Sequence, residues 1–173
     1  MIDHVITLSL RQADEWLLNR RLPQDYRAPL PWAWIGFESP GAKWMSPLRH
    51  ANLRLSLIVP MNDIDPEGRA IDRLRRGEDE PSIEQARRIV DFVTRLHKAK
   101  RRYALVVHCH AGLYRSGAVA EWVSRHFDLP EDEASHRLVV FGAKERSYNH
   151  LLLRLLEQAC AENADCRAFG RRA

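Results

Sequence analysis

Cysteine is scarce in this chain: only Cys109, Cys160 and Cys166 occur. An odd, small count argues against a small disulfide-stapled scaffold. Cys160 and Cys166 have no further ligand at the short spacings of zinc motifs, so both are expected to be structural or incidental thiols. Long apolar runs are also missing. None approaches the roughly 20 residues that a spanning helix needs. The start Met1-Ile2-Asp3-His4 lacks the basic segment and apolar core of a secretory leader. The expectation is a soluble, cytoplasmic protein in a reducing compartment, with no membrane partner. A dominant charge of one sign is lacking too. The balance of 27 Lys and Arg against 23 Asp and Glu gives a net charge of +4. That is a mild bias towards anionic partners and too weak to indicate nucleic acid. The basic clusters Arg73-Leu74-Arg75-Arg76 and Lys98-Ala99-Lys100-Arg101-Arg102 read as a helix end and a solvated turn. Internal repeats and low-complexity segments are absent.

What is present is an ordinary globular composition, 45% hydrophobic and 29% charged over 173 residues. This suits one domain spanning 1–173 with a sizeable core. Val5 to Leu8 reads as a strand, and Arg11 to Asn19 as a helix with Ala13, Trp16 and Leu17 on one face. Trp32 to Phe37 and Ala51 to Val59 read as further strands. Pro60 to Gly68 then forms a loop carrying Asp63 and Asp65. Ser82 to Lys98 is the clearest helix, with Ile83, Ala86, Ile89, Val90, Val93 and Leu96 on one side. Arg102 to His108 is a short buried strand, and Ser116 to Phe127 a helix with Val119, Trp122 and Val123 inward. Glu131 to Val140 reads as another helix. Tyr148 to Ala161 is the last, burying Leu151, Leu152, Leu155 and Leu156, and the tail from 162 to 173 is expected to fray. Strands alternating with helices predict an α/β fold with a central, mostly parallel sheet flanked by helices.

The densest chemical signal is His108-Cys109-His110-Ala111-Gly112-Leu113-Tyr114-Arg115-Ser116. Cys109 ends an apolar strand, and a loop leads into a helix. Carboxyl ends of strands are where α/β folds bind ligands. Backbone N–H groups from His110 to Arg115 can form an anion nest, reinforced by the helix N-terminus. Gly112 allows tight closure, and the planar fork of Arg115 matches two phosphate oxygens. Cations and helix N-termini favour the thiolate form of a cysteine, which would let Cys109 attack phosphorus. His108 is expected to brace the loop, and Ser116 to donate to the sulfur. A cysteine that merely filled a strand end would leave the arginine, glycine and hydroxyl unexplained.

Cys109, five residues, then Arg115-Ser116 resembles the signature of the cysteine-dependent protein tyrosine phosphatase superfamily. The order of parts is most similar to its compact, dual-specificity-like branch, including bacterial proteins described as predicted tyrosine phosphatases. That resemblance covers about residues 30–160. It implies a protein tyrosine phosphatase-like fold of the phosphotyrosine phosphatase II type. It also implies a phosphate site formed by His110, Ala111, Gly112, Leu113, Tyr114 and Arg115, for which phosphate, sulfate or vanadate would be ligands. A position near 109 argues against the low-molecular-weight phosphatases and arsenate reductases, whose motif lies near the N-terminus. Tyr114 departs from the pattern, where a small residue usually precedes the arginine.

The resemblance also implies an aspartate from the loop after the preceding strand as the proton donor to the leaving group. Asp63, following Asn62, matches that position best, and Asp65 is the alternative. Asn149 is a candidate to brace the signature loop, although a helix-start role explains it equally well. Trp32, Trp34 and Trp44 are expected in the core rather than on a binding platform. The implied activity is a phosphoric monoester hydrolase acting through a phosphocysteine, with phosphorylated protein as the expected substrate. No metal or cofactor is expected. The alternatives are a phosphoinositide, nucleotide or RNA-end phosphatase with the same site, or a phosphate-binding pseudophosphatase.

Overall fold

A computed structural model describes residues 1–19, 31–40, 53–64, 80–129 and 148–169, with the side chains of 4 and 15–19 excepted. The described elements run in chain order as β1 (Ile2–Ser9), α1 (Leu10–Asn19), β2 (Trp32–Glu38), β3 (Leu53–Pro60), α2 (Ile83–Lys98), β4 (Tyr103–Cys109), α3 (Tyr114–His126), α4 (His150–Glu162) and α5 (Ala164–Arg167). The four strands form one sheet in the order β1-β4-β2-β3. Every pairing among them is parallel, with Ser9 opposite Cys109 and Gly36 opposite His108. The expected α/β architecture with a mostly parallel sheet is therefore present.

The two inner strands explain their own sequences. Residues 32–37 of β2 and 104–109 of β4 are all buried, as a parallel strand covered on both faces requires. Alternate residues then sort by face. Ala33, Ile35, Phe37, Leu105, Val107 and Cys109 join a large core with α2, α3 and α4. Trp32, Trp34, Ala104 and Val106 join a smaller core with Leu8 and with Ala13 of α1. Trp32 and Trp34 are thus core residues, at 2% and 0% exposure. This alternation decides the site, because it sends His108 to the α1 side and Cys109 to the α3 side.

Helix α2 starts at a capping box. Ser82 Oγ accepts from Gln85 N–H, and Gln85 reaches back to the Ser82 N–H at 2.8 Å. Its buried stripe contains the expected Ala86, Ile89, Val90, Val93 and Leu96, while Ile83 is partly buried.

Several boundaries move. Strand β1 extends from Ile2 to Ser9 because it pairs with β4 along its length. Helix α3 begins at Tyr114 rather than Ser116, with Gly117 N–H bonding the Leu113 carbonyl at 2.9 Å. Helix α4 turns Leu152, Leu153 and Leu156 fully inward, leaving Leu151 and Leu155 only partly buried. In the tail expected to fray from 162, the described residues continue through α5 to Phe169. Asn163 caps α5, and Cys166 is fully buried there. The helix expected over 131–140, together with Asp65, Trp44 and Arg73–Arg76, lies outside the described residues.

Candidate active site

Strand β4 delivers Cys109 to the carboxyl edge of the sheet, beside the ends of β1 and β2. The turn 110–113 then folds back over that edge. Gly112 makes the fold-back possible. Its φ is +74°, and a Cβ there would stand 2.5 Å from the Ser9 nitrogen and 2.8 Å from the Leu8 carbonyl carbon. The His110 carbonyl accepts from Leu10 N–H at 3.2 Å, so the turn is tied to the start of α1. Helix α3 has no side-chain cap at its N-terminus. The first-turn N–H groups of Tyr114, Arg115 and Ser116 have no intrahelical acceptor, and they lie at the positive end of the helix dipole.

Cys109 and Ser116 meet beneath this turn, Sγ to Oγ at 3.3 Å, and both residues are fully buried. Arg115 is 3% exposed and points towards the end of β3. Its Nη1 donates to the Met61 carbonyl at 2.6 Å, and its Nε lies 3.7 Å from Asp63 Oδ2. The sequence-predicted acid is thus brought to the sequence-predicted arginine. The guanidinium is engaged by protein oxygens, which adds a partner, the Met61 carbonyl, that the sequence did not suggest.

Asn149 joins three of these parts. Its Nδ2 donates to the Ile64 carbonyl at 2.9 Å and to Asp63 Oδ1 at 3.3 Å. Its backbone N–H donates to the Tyr114 carbonyl at 3.1 Å. Its Oδ1 accepts from Leu152 N–H at 2.8 Å, capping α4. Of the two roles considered for Asn149, the side chain fills the helix cap, while the contact with the signature segment is made by its backbone N–H; the side-chain amide instead braces the 63–64 segment.

His108 lies on the opposite face from Cys109, packed against Trp34 with ring centroids 5.1 Å apart. Gly36 makes room for it, since a Cβ there would sit 2.5 Å from His108 Nε2. Desolvation, and secondarily the Arg115 charge, push its pKa down to about 4. The imidazole is therefore neutral at physiological pH, as a buried ring near a cation must be. His110, Ala111 and Tyr114 are exposed on the outer side of the turn, Tyr114 at 45%.

No protein-family model, curated protein or solved structure matches this chain. Function must therefore be argued from the constellation itself. It holds a thiol with a hydroxyl at hydrogen-bond distance, an uncapped helix start, a buried guanidinium and a carboxylate 3.7 Å from it. One group was missed by sequence reasoning, the Met61 carbonyl. It carried no signal, since any residue type offers a carbonyl.

Proposed function

We propose that this protein is a cysteine-dependent phosphatase with a protein tyrosine phosphatase-like fold, hydrolysing phosphate monoesters of protein tyrosine or of both tyrosine and serine/threonine. The observation that carries the reading is the approach of Asp63 to Arg115 at 3.7 Å, beside the Cys109–Ser116 pair. Those residues come from the end of β4, the first turn of α3 and the segment that follows β3. Chance packing of a buried cysteine has no reason to recruit a carboxylate, a guanidinium and a helix start together.

In the proposed reaction the Cys109 thiolate attacks phosphorus. The S–P bond forms as the ester P–O bond breaks, and Asp63 protonates the leaving oxygen. The N–H groups of the 110–116 segment and the Arg115 fork stabilise the charge on the three equatorial oxygens. A water, deprotonated by Asp63, then attacks the phosphocysteine. Ser116 Oγ–H stabilises the departing thiolate. One guanidinium N–H is taken by the Met61 carbonyl, and the remaining N–H groups of the fork are the ones offered to phosphate oxygens. Tyr114, exposed at the start of α3, is the residue best placed to meet the body of a phosphoprotein substrate.

Turnover of an aryl phosphate that is abolished in Cys109→Ser supports this reading. Burial of Cys109 favours one other reading, a phosphate-binding protein without turnover. No hydrolysis at any pH, with retained binding of phosphopeptide, would replace the first reading by the second. Activity confined to phosphoinositides, nucleotides or RNA ends would keep the chemistry and change the substrate.

A further inference from the structure

A second cluster of reactive side chains lies at the far end of α3. His126, the last residue of that helix, meets Cys160 near the end of α4 and Cys166 in α5. The sulfurs of Cys160 and Cys166 form a disulfide, with Cα atoms 5.4 Å apart. His126 Nε2 lies 3.4 Å from each sulfur. The pair is thus a disulfide rather than two structural or incidental thiols, and beside it lies an imidazole that no short sequence spacing offered. The imidazole arrives from residue 126, across a tertiary contact.

We propose that, when reduced, Cys160, Cys166 and His126 bind one thiophilic divalent ion such as Zn2+, a metal-bound dithiolate then standing where the disulfide was. Four observations support it. A tetrahedral ion with ordinary Zn–S and Zn–N bonds places sulfur and nitrogen about 3.5 Å apart, close to the separation present. Once the S–S bond is broken, the two sulfurs need to part to about 3.8 Å. The imidazole is held by its surroundings, lying 5.8 Å from the Trp122 ring in a stacked pose and edge-on to Phe127. Cys166 is held by Asn163, whose Oδ1 accepts from its N–H at 2.9 Å. The cluster also borders a groove of about 440 Å³, lined by His126, Cys160, Trp122, Arg125, Glu157 and Arg167. Water from that groove fills the fourth position.

The redox step balances with a phosphine as reductant. The S–S bond breaks, two thiols form, and phosphorus leaves as the phosphine oxide with oxygen from water. Metal binding then releases the two thiol protons. In the disulfide form the Cys166 carbonyl, 2.8 Å away, accepts from His126 Nε2–H; in the metal form that contact is given up, the imidazole proton moves to Nδ1, and the freed Nε2 lone pair goes to the ion.

The test is anaerobic titration of the full chain with Co2+, read by thiolate-to-metal charge transfer and the strong visible bands of tetrahedral cobalt. Phosphine-reduced protein should bind one ion per chain, and Zn2+ should displace it. The disulfide form should bind none. Cys109→Ser should titrate like the wild type, which separates this site from the proposed catalytic thiol. Cys166→Ser should lose the charge-transfer band, and His126→Ala should weaken binding at least tenfold. Absence of the band in reduced wild-type protein overturns the proposal, and needs no variant to fold. So does a band that survives Cys166→Ser but disappears in Cys109→Ser. Neither result bears on phosphatase turnover, which is measured separately.

Discussion

Single atoms decide the proposed chemistry around Cys109. The Ser116 hydroxyl, 3.3 Å from the sulfur, is placed to stabilise a departing thiolate. Ser116→Ala removes a hydrogen bond to a charged atom, worth about 1.5–3 kcal/mol, and so slows dephosphorylation about 10- to 100-fold. Attack by Cys109 is spared, so a pre-steady-state burst of phenol from an aryl phosphate should appear. A uniform slowing without a burst would place Ser116 in the first step instead. For Asp63 the expected loss in Asp63→Ala is on the order of 10²–10⁴ in kcat with an aryl ester of poor leaving group. A general acid donates only while protonated, so the wild-type pH–rate profile should carry a limb that falls with rising pH. That falling limb should vanish from the Asp63→Ala profile. If it persists, another acid is at work, and Asp65 is the next to change. These roles were legible as patterns because cysteine, arginine and serine lie close together in the chain. Asp63 was chosen by resemblance, and its 3.7 Å distance from Arg115 is a tertiary fact.

At the level of elements, the site is a junction of helix starts against strand ends. Asn149 does two jobs there, and two substitutions separate them. Asn149→Asp keeps an oxygen for the Leu152 N–H but loses the amide donor to Ile64 and Asp63. It should retain most of the cap while lowering kcat, measured beside the thermal midpoint. Asn149→Ala loses both, with about 1 kcal/mol from the cap alone. Equal activity in the two variants, and equal to wild type, would make the brace irrelevant. Gly112→Ala tests the turn. A positive φ costs a side chain about 1–3 kcal/mol, and the added Cβ also meets the Ser9 backbone. Denaturant unfolding should show at least that loss, with phosphate affinity falling too. The glycine was legible as a tight turn. Its partner was not, because Ser9 reaches it only through the pairing of β1 with β4. The start of α3 was placed two residues late for a related reason. Leu113 is no side-chain cap, so the usual sequence mark of a helix start is missing.

Across the whole molecule, the parallel sheet sets which groups share an environment. His108, sealed between Trp34 and Gly36, has its pKa pushed down to about 4 from an ordinary 6.5. Between those values the unfolded chain binds a proton that the folded chain refuses. Stability should therefore fall as pH drops from about 6.5 to about 4, by on the order of 3 kcal/mol. Chemical denaturation across that range checks it, and a flat profile would mean His108 is not sealed. At the opposite end, the Cys160–Cys166 disulfide closes a short loop over the α4–α5 junction. Its reduction without metal should cost about 2 kcal/mol. The chain alone determined what depends on neighbours in sequence: the apolar strand before Cys109, the five-residue spacing to Arg115, the stripe of α2 and its Ser82 cap. Those features follow from backbone periodicity and local hydrogen bonding. Only the tertiary structure decided which strand ends lie side by side. That brought Asp63 and the Met61 carbonyl to Arg115, tied Asn149 to both loops, and closed His126 onto two distant cysteines. Strand order is set by burial summed over the whole core, and no short segment carries that sum.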